Sequence, residues 1–258
     1  MQDHAHAEGH GGHAHHWEVS WAPMAVAFGV MFLVALTFTS YFVYGSALAA
    51  IICAGIGTPL VLAGVSKWIH EGATQKGAIE NVSPIGIGVF IIGEILIFLG
   101  LFASYWSMRL ATGTDWPPPG TPHINKILPL IMTVILVASS FTYHAAEARL
   151  EAGDRKGFVN WLVITIVVGA LFLGCTIYEY NHLLHEGFKP GTNQYSAAFY
   201  SLTGFHASHV LVGLLSFVAI LIAFTKAQVN RLFVMVAGIY WHFVDVVWFF
   251  VASQVYFW

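Results

Sequence analysis

Seven apolar stretches, each near the length of a bilayer-crossing helix, dictate what this chain can become. They cover about residues 22–43, 47–67, 84–106, 127–144, 158–180, 197–224 and 232–258. The hydrocarbon layer takes about 20 mostly apolar helical residues to cross. Polar punctuators near 72–83, 113–126 and 187–195 break the series. Composition agrees, with 57% hydrophobic and 9% charged residues among 258, where an ordinary soluble domain carries roughly 25% charged. The expected fold is an all-α integral membrane domain of seven helices over 17–258. A polar, His-rich tail over 1–16 precedes it, and no soluble domain fits. That tail is too polar for a secretory leader, so no cleavage is expected.

Orientation follows from the basic residues. Lys67, Lys76, Arg149, Arg155, Lys156, Lys226 and Arg231 fall on the side of the N-terminus. Only Arg109, Lys126 and Lys189 fall on the other. The bias places the N-terminus inside and, after an odd number of crossings, the C-terminus outside. A net charge of −3 with no basic stripe gives no reason to expect a nucleic-acid partner.

Ionisable groups are costly in hydrocarbon and rarely stand there without a partner or a task. The string Tyr240-Trp241-His242-Phe243-Val244-Asp245 puts an imidazole and a carboxylate near the middle of the last stretch. Glu94 falls ten residues into the third stretch, about 15 Å deep at 1.5 Å per residue, and must be neutral or paired. His209 lies at similar depth in the sixth, so Glu94 is expected to bond His209, with His206 as second choice. His242 and Asp245 are expected to tie the seventh helix to its neighbours.

Metal binding is the competing reading of these same residues. His206 and His209 share a helix face, and Glu179-Tyr180-Asn181-His182 has the Glu-x-x-His form used in di-iron bundles. Such a bundle needs that pattern twice plus two more glutamates, and His144-Ala145-Ala146-Glu147 runs in the reverse order. A single axial His suffices for haem, so spacing leaves ligation open, beside the plainer reading of hydrogen bonds between helices. Cys53 and Cys175 lie in different helices and read as small buried hydrophobes. Nothing resembles a copper-thiolate site or a Cys-x-x-Cys-His haem attachment.

Several of these strings resemble subunit III of cytochrome c oxidase. Tyr240–Phe249 is similar to that family's last helix, and Thr203-Gly204-Phe205-His206-Ala207-Ser208-His209-Val210 to its Thr-Gly-Phe-His-x-x-His-Val run. Gly153-Asp154-Arg155-Lys156 and Trp116-Pro117-Pro118-Pro119-Gly120 match two of its loops. Glu94 stands where the family carries a membrane-buried glutamate. The resemblance runs from about Trp21 to Trp258. It implies two N-terminal helices splayed from a five-helix bundle around a lipid-filled cleft. It also implies a subunit without redox centres of its own, with no catalytic residue and no metal ligand. Haem and copper would sit in oxidase subunits I and II, with cytochrome c as donor to the complex and bound phospholipids. The location implied is the bacterial inner membrane, N-terminus cytoplasmic and C-terminus periplasmic. The complex would reduce O₂ to water and translocate protons, with this subunit supporting O₂ access, proton uptake and stability of the catalytic subunit.

The chain departs from the family in places. Val65-Ser66-Lys67-Trp68-Ile69-His70-Glu71-Gly72 has one Trp and a Lys where relatives show tandem tryptophans and an aspartate. The Arg before the third helix is replaced within Asn81-Val82-Ser83-Pro84, and paired histidines in the fourth helix are reduced to His144. Those positions belong to head-group contacts in the family. Trp21, Trp68, His70 and Glu71 are the lipid-binding candidates left, since aromatic and charged groups gather at the interface.

The tail is unlike the family. His4, His6, His10, His13, His15 and His16 crowd sixteen residues. Three readings stand: disorder without function, metal storage, or a proton antenna on the inner face, since His titrates near neutrality. Two alternatives to the main reading also stand. A quinol oxidase would keep the fold and change the donor, which binds another chain. A His-tailed metal or proton transporter would use Glu94, His206, His209 and Asp245 as a path. Transporters often carry internal repeats, and none is evident here.

Overall fold

Hydrogen-bond satisfaction in lipid leaves helices or closed barrels as the spanning structures, and the chain takes the first. The computed structural model describes residues 20–74, 82–226 and 231–257, and seven of its helices are long and apolar enough to cross a membrane. They are α1 (Ala22–Val30, continuing through wide turns at Met31–Leu36 and Thr39–Val43), α2 (Ala47–Thr74), α3 (Val82–Thr112), α4 (Ile127–Glu151), α5 (Arg155–His185), α6 (Gln194–Lys226) and α7 (Arg231–Ala252, ending in a wide turn at Ser253–Phe257). Most run past their apolar limits. α4 continues from His144 to Glu151 and α5 begins at Arg155 rather than near Phe158. Hydropathy marks the hydrocarbon-immersed turns, whereas the backbone keeps its hydrogen bonds into the interface.

The chain forms two compact units, divided after Ala78. The first holds α1 and α2 and the second α3–α7, the two-plus-five grouping that the resemblance implies.

In the first unit, glycines let two backbones meet. A Cβ on Gly57 would lie 2.7 Å from the carbonyl oxygen of Gly29, and one on Gly64 would lie 2.8 Å from Val26 and 3.0 Å from the carbonyl oxygen of Ala22. Lipid supplies no hydrophobic drive between helices, so small residues that permit close van der Waals contact decide where they join. Thr37 donates to the carbonyl of Phe32 at 2.9 Å, satisfying an acceptor within the wide turns of α1.

In the second unit, α4 packs on α5, α5 on α6, α6 on α7 and α7 back on α4, while α3 lies along α6 and α7. Trp241 and Trp248, seven residues apart on α7, fill the interior and are 0% and 2% exposed. Each indole donates to a hydroxyl of α4: Trp241 Nε1 to Ser139 Oγ at 3.0 Å and Trp248 Nε1 to Thr133 Oγ1 at 2.9 Å. Gly169 on α5 and Gly213 on α6 make room for the Trp241 ring, which a Cβ at Gly213 would approach to 2.6 Å. The α4–α5 connection is the short Gly153-Asp154 turn. Gly153 has φ +76°, Asp154 N–H returns to the carbonyl of Arg149 at 2.9 Å, and the Asp154 side chain then caps α5.

The glycine seam predicts that Gly57→Leu separates α1 from α2. Ser40 Oγ lies 4.0 Å from Cys53 Sγ, so Ser40→Cys provides a reporter. Oxidation should join the introduced thiol to Cys53 in that variant and lose most of the cross-link when Gly57→Leu is added, read by mass spectrometry. Equal cross-linking in both would refute the seam.

Candidate functional site

Glu94, His209, His242, Asp245 and Glu179 fall into three separate joints, each bridging helices. The most central joins α3 to α6. Glu94 Oε2 lies 3.0 Å from His209 Nε2, with the two side chains 16% and 10% exposed. His209 Nδ1 is 2.8 Å from the carbonyl oxygen of Phe205. A carbonyl only accepts, so Nδ1 carries a proton. Nε2 then either accepts from a protonated Glu94 or donates to its carboxylate, and in both arrangements the pair is net neutral. Phe98, Phe205 and Tyr240 surround the imidazole, with ring centroids 5.2, 4.6 and 6.3 Å away.

The second joint ties α7 to α4. Ser140 Oγ donates to Asp245 Oδ2 and lies 3.0 Å from His242 Nδ1. Its one proton goes to the carboxylate, so it accepts from the Nδ1–H form of His242. Both residues expected to anchor α7 therefore meet at one serine. The third joint lies toward the far end of α5, where the buried Glu179 accepts from Tyr256 at 2.7 Å. Around it, tyrosine hydroxyls take carbonyls near the wide turn that ends α7: Tyr105 that of Gln254 and Tyr195 that of Val255, each at 2.7 Å. Trp116, from the Pro-rich turn after α3, packs edge-on against both Tyr105 and Tyr195.

His206, the second-choice partner for Glu94, is not part of that joint. It is 0% exposed, it packs against Phe172 and Trp248, and neither ring nitrogen has a hydrogen-bond partner among the described residues. One helical turn of difference decides this: His209 points to α3, whereas His206 points between α5 and α7. Likewise Glu179 and His182, read together as half of a metal motif, take separate partners, His182 lying 3.7 Å from Glu186. Among the described residues no three His, Cys, Asp or Glu side chains gather as a metal ion would require.

The lipid-binding candidates belong to the first unit. Trp21 and Trp68 are half exposed, and His70 is exposed. Glu71 is committed within the chain: Oε2 accepts from Ser20 Oγ at 2.6 Å and Oε1 pairs with Lys67 at 3.0 Å. Lys67 in turn lies 5.2 Å over the Trp21 ring. The Ser20 hydrogen bond, then Lys67, holds the Glu71 carboxyl below its ordinary range. His4, His6, His10, His13, His15 and His16 lie outside the described residues.

Ser139, Ser140, Thr133 and Tyr256 are joint residues that the sequence does not single out. Helical Ser and Thr usually return their proton to a carbonyl on their own helix, as Thr133 does to Pro129 at 2.7 Å. Ala138-Ser139-Ser140 in an otherwise apolar segment is the one available signal.

These features define a polytopic membrane protein whose helices are locked by buried polar joints. A profile of the cytochrome c oxidase subunit III family matches residues 13–258, and the chain belongs to that family. It is similar to a probable cytochrome c oxidase subunit 3 of Nocardia farcinica, 40% identical over 69% of this chain and 88% of the relative. Cytochrome c oxidase subunit 3 of Corynebacterium diphtheriae is 39% identical over the same shares. Quinol oxidase subunit 3 of Bacillus spizizenii is 36% identical over 68% of this chain and 87% of the relative. Each resemblance is to one subunit of a multi-subunit oxidase.

The joints can be tested singly. Glu94→Gln should assemble like the parent, since the amide N–H donates to a neutral His209. Glu94→Leu should cost about 1 kcal/mol, the scale of a polar joint in lipid, in a denaturant titration of the purified protein. Equal stability of both would show that the joint contributes nothing. For Glu71, a lowered folded pKa means stability that is present above 4.5 and lost as pH falls below it. Thermal unfolding of parent and Glu71→Gln should therefore differ at neutral pH and converge in acid; a gap that persists in acid would contradict the pairing.

Proposed function

We propose that the chain is the non-catalytic subunit III of a proton-pumping cytochrome c oxidase, set in a bacterial inner membrane with its N-terminus cytoplasmic. The observation that carries this reading is family membership across residues 13–258. In this reading haem and copper reside in subunits I and II, and cytochrome c delivers electrons to them. The seven-to-three bias of basic residues supports the orientation. The work left to this chain is physical. It covers the catalytic subunit with a rigid apolar body, offers O₂ a hydrocarbon route, holds phospholipid and keeps proton uptake fast.

The Glu94–His209 pair suits that work, because it fastens α3 to α6 at mid-membrane without a net charge in hydrocarbon. A second reading rests on the Bacillus spizizenii relative, named a quinol oxidase subunit. It keeps every contact described here and changes only the donor.

Affinity purification of the intact complex through this chain decides between them. A stoichiometric partner with haem and copper spectra, oxidising reduced cytochrome c but not quinol, is the expected result. Quinol oxidation alone would replace the donor assignment. Metal or proton transport by the chain alone in liposomes, with no haem partner, would overturn the proposal.

A further inference from the structure

The start of α5 carries a feature that none of the polar joints uses. Two cations in succession, Arg155 and Lys156, open a helix whose N-terminus is itself the positive end of the peptide dipole. Acidic side chains are favoured in such a first turn, and α5 has none. The adjacent carboxylate caps the helix and is paired elsewhere, since Asp154 accepts from Gly157 N–H at 2.9 Å and pairs with Arg149 at 3.5 Å. Neither Arg155 nor Lys156 has an ion-pair partner among the described residues.

Arg155 instead lies over Phe224 of α6, 4.6 Å from the ring centroid, with Nη2 donating to the Phe224 carbonyl at 3.4 Å. Arg155, Lys156, Val159, Asn160 and Phe224 thereby line a recess between the two helices. Its rim is cationic and its floor apolar. Below it the exposed side chains Val163, Ile164, Val167 and Leu171 succeed Asn160 at helical spacing, forming a strip that runs into the membrane-spanning part of α5.

We propose that this recess binds one anionic phospholipid. Arg155, Lys156 and Asn160 hold the phosphate, and the acyl chains lie along the strip from Val163 to Leu171. The combination of rim and strip selects a lipid over a soluble phosphate, which would use the rim alone. Basic pockets between membrane helices on the cytoplasmic side match anionic head groups in the same way. The site shares no residue with the candidates Trp21, Trp68, His70 and Glu71, and it stands on α5–α6 geometry whatever donor the complex uses.

The test uses the full chain in its purified complex, delipidated and then titrated with phosphatidylglycerol or phosphatidylcholine, with bound lipid counted by native mass spectrometry. The parent should retain one more phosphatidylglycerol than the double variant Arg155→Gln, Lys156→Gln, with retention falling about fivefold for each charge removed. Phosphatidylcholine should bind both alike. Lys156→Gln alone leaves Arg155 over Phe224, so it should lower phosphatidylglycerol retention with an unchanged unfolding temperature in phosphatidylcholine. Equal phosphatidylglycerol retention by parent and variants would overturn the proposal. So would displacement of the lipid by excess inorganic phosphate, which would mark a soluble-anion site. Cross-linking of Lys156 to an acidic segment of a partner subunit, with no lipid dependence, would reassign the recess as a protein interface.

Discussion

A polar group in hydrocarbon has no water to turn to, so each must find its partner within the protein or face the full cost of desolvation. Helices answer this for the backbone, and the side chains are left to decide how helices meet. Apolar surface alone cannot decide it, because lipid tails are as apolar as leucine. The two units use different means. α1 and α2 meet through Gly29, Gly57 and Gly64, where backbone approaches backbone. α3–α7 meet through hydrogen bonds that cross from helix to helix, with Trp241 filling the space that Gly169 and Gly213 leave.

Each mid-membrane polar joint brings a carboxyl and an imidazole together at a contact between helices. His209 gives one proton to a backbone carbonyl and shares another with Glu94, so an acid and a base occupy the centre of a spanning segment without a net charge. His242 and Asp245 meet at a single hydroxyl on α4, which donates to Asp245 Oδ2, while Oδ1 has no partner among the described residues. Such joints are directional where van der Waals packing is not, and they fix rotation about each helix axis as well as distance. His206 takes part in no joint: it is enclosed by Phe172 and Trp248 with both nitrogens unpartnered among the described residues.

The two ends of the larger unit differ in kind. Where α7 ends, tyrosine hydroxyls from α3 and α6 take carbonyls at its final wide turn, and Trp116 wedges between two of those rings. At the opposite end of α5 the chain gathers cations, and Arg155 covers Phe224. An aromatic, hydrogen-bonded end holds shape. A cationic end with an apolar floor suits an anionic surface.

Class and the number of spanning helices were legible in the sequence. Seven stretches of the right length and few charges leave little but a seven-helix membrane protein, because hydrocarbon thickness sets the length and desolvation sets the composition. Depth counting also brought Glu94 and His209 together, since both lie near the middle of their helices and each needed a partner. Helix ends were not legible: α4 runs to Glu151 because backbone hydrogen bonding continues past the point where apolar side chains stop. Nor could the sequence say which way each polar side chain turns. His206 and His209 differ by three residues, and only the packing of α3, α5 and α7 around α6 sends one to Glu94 and the other into an apolar enclosure. Ser140 looks in sequence like any helical serine that would satisfy itself locally. The tertiary structure alone made it the meeting point of His242 and Asp245, because rotation about a helix axis is set by neighbours, and neighbours are not written along the chain.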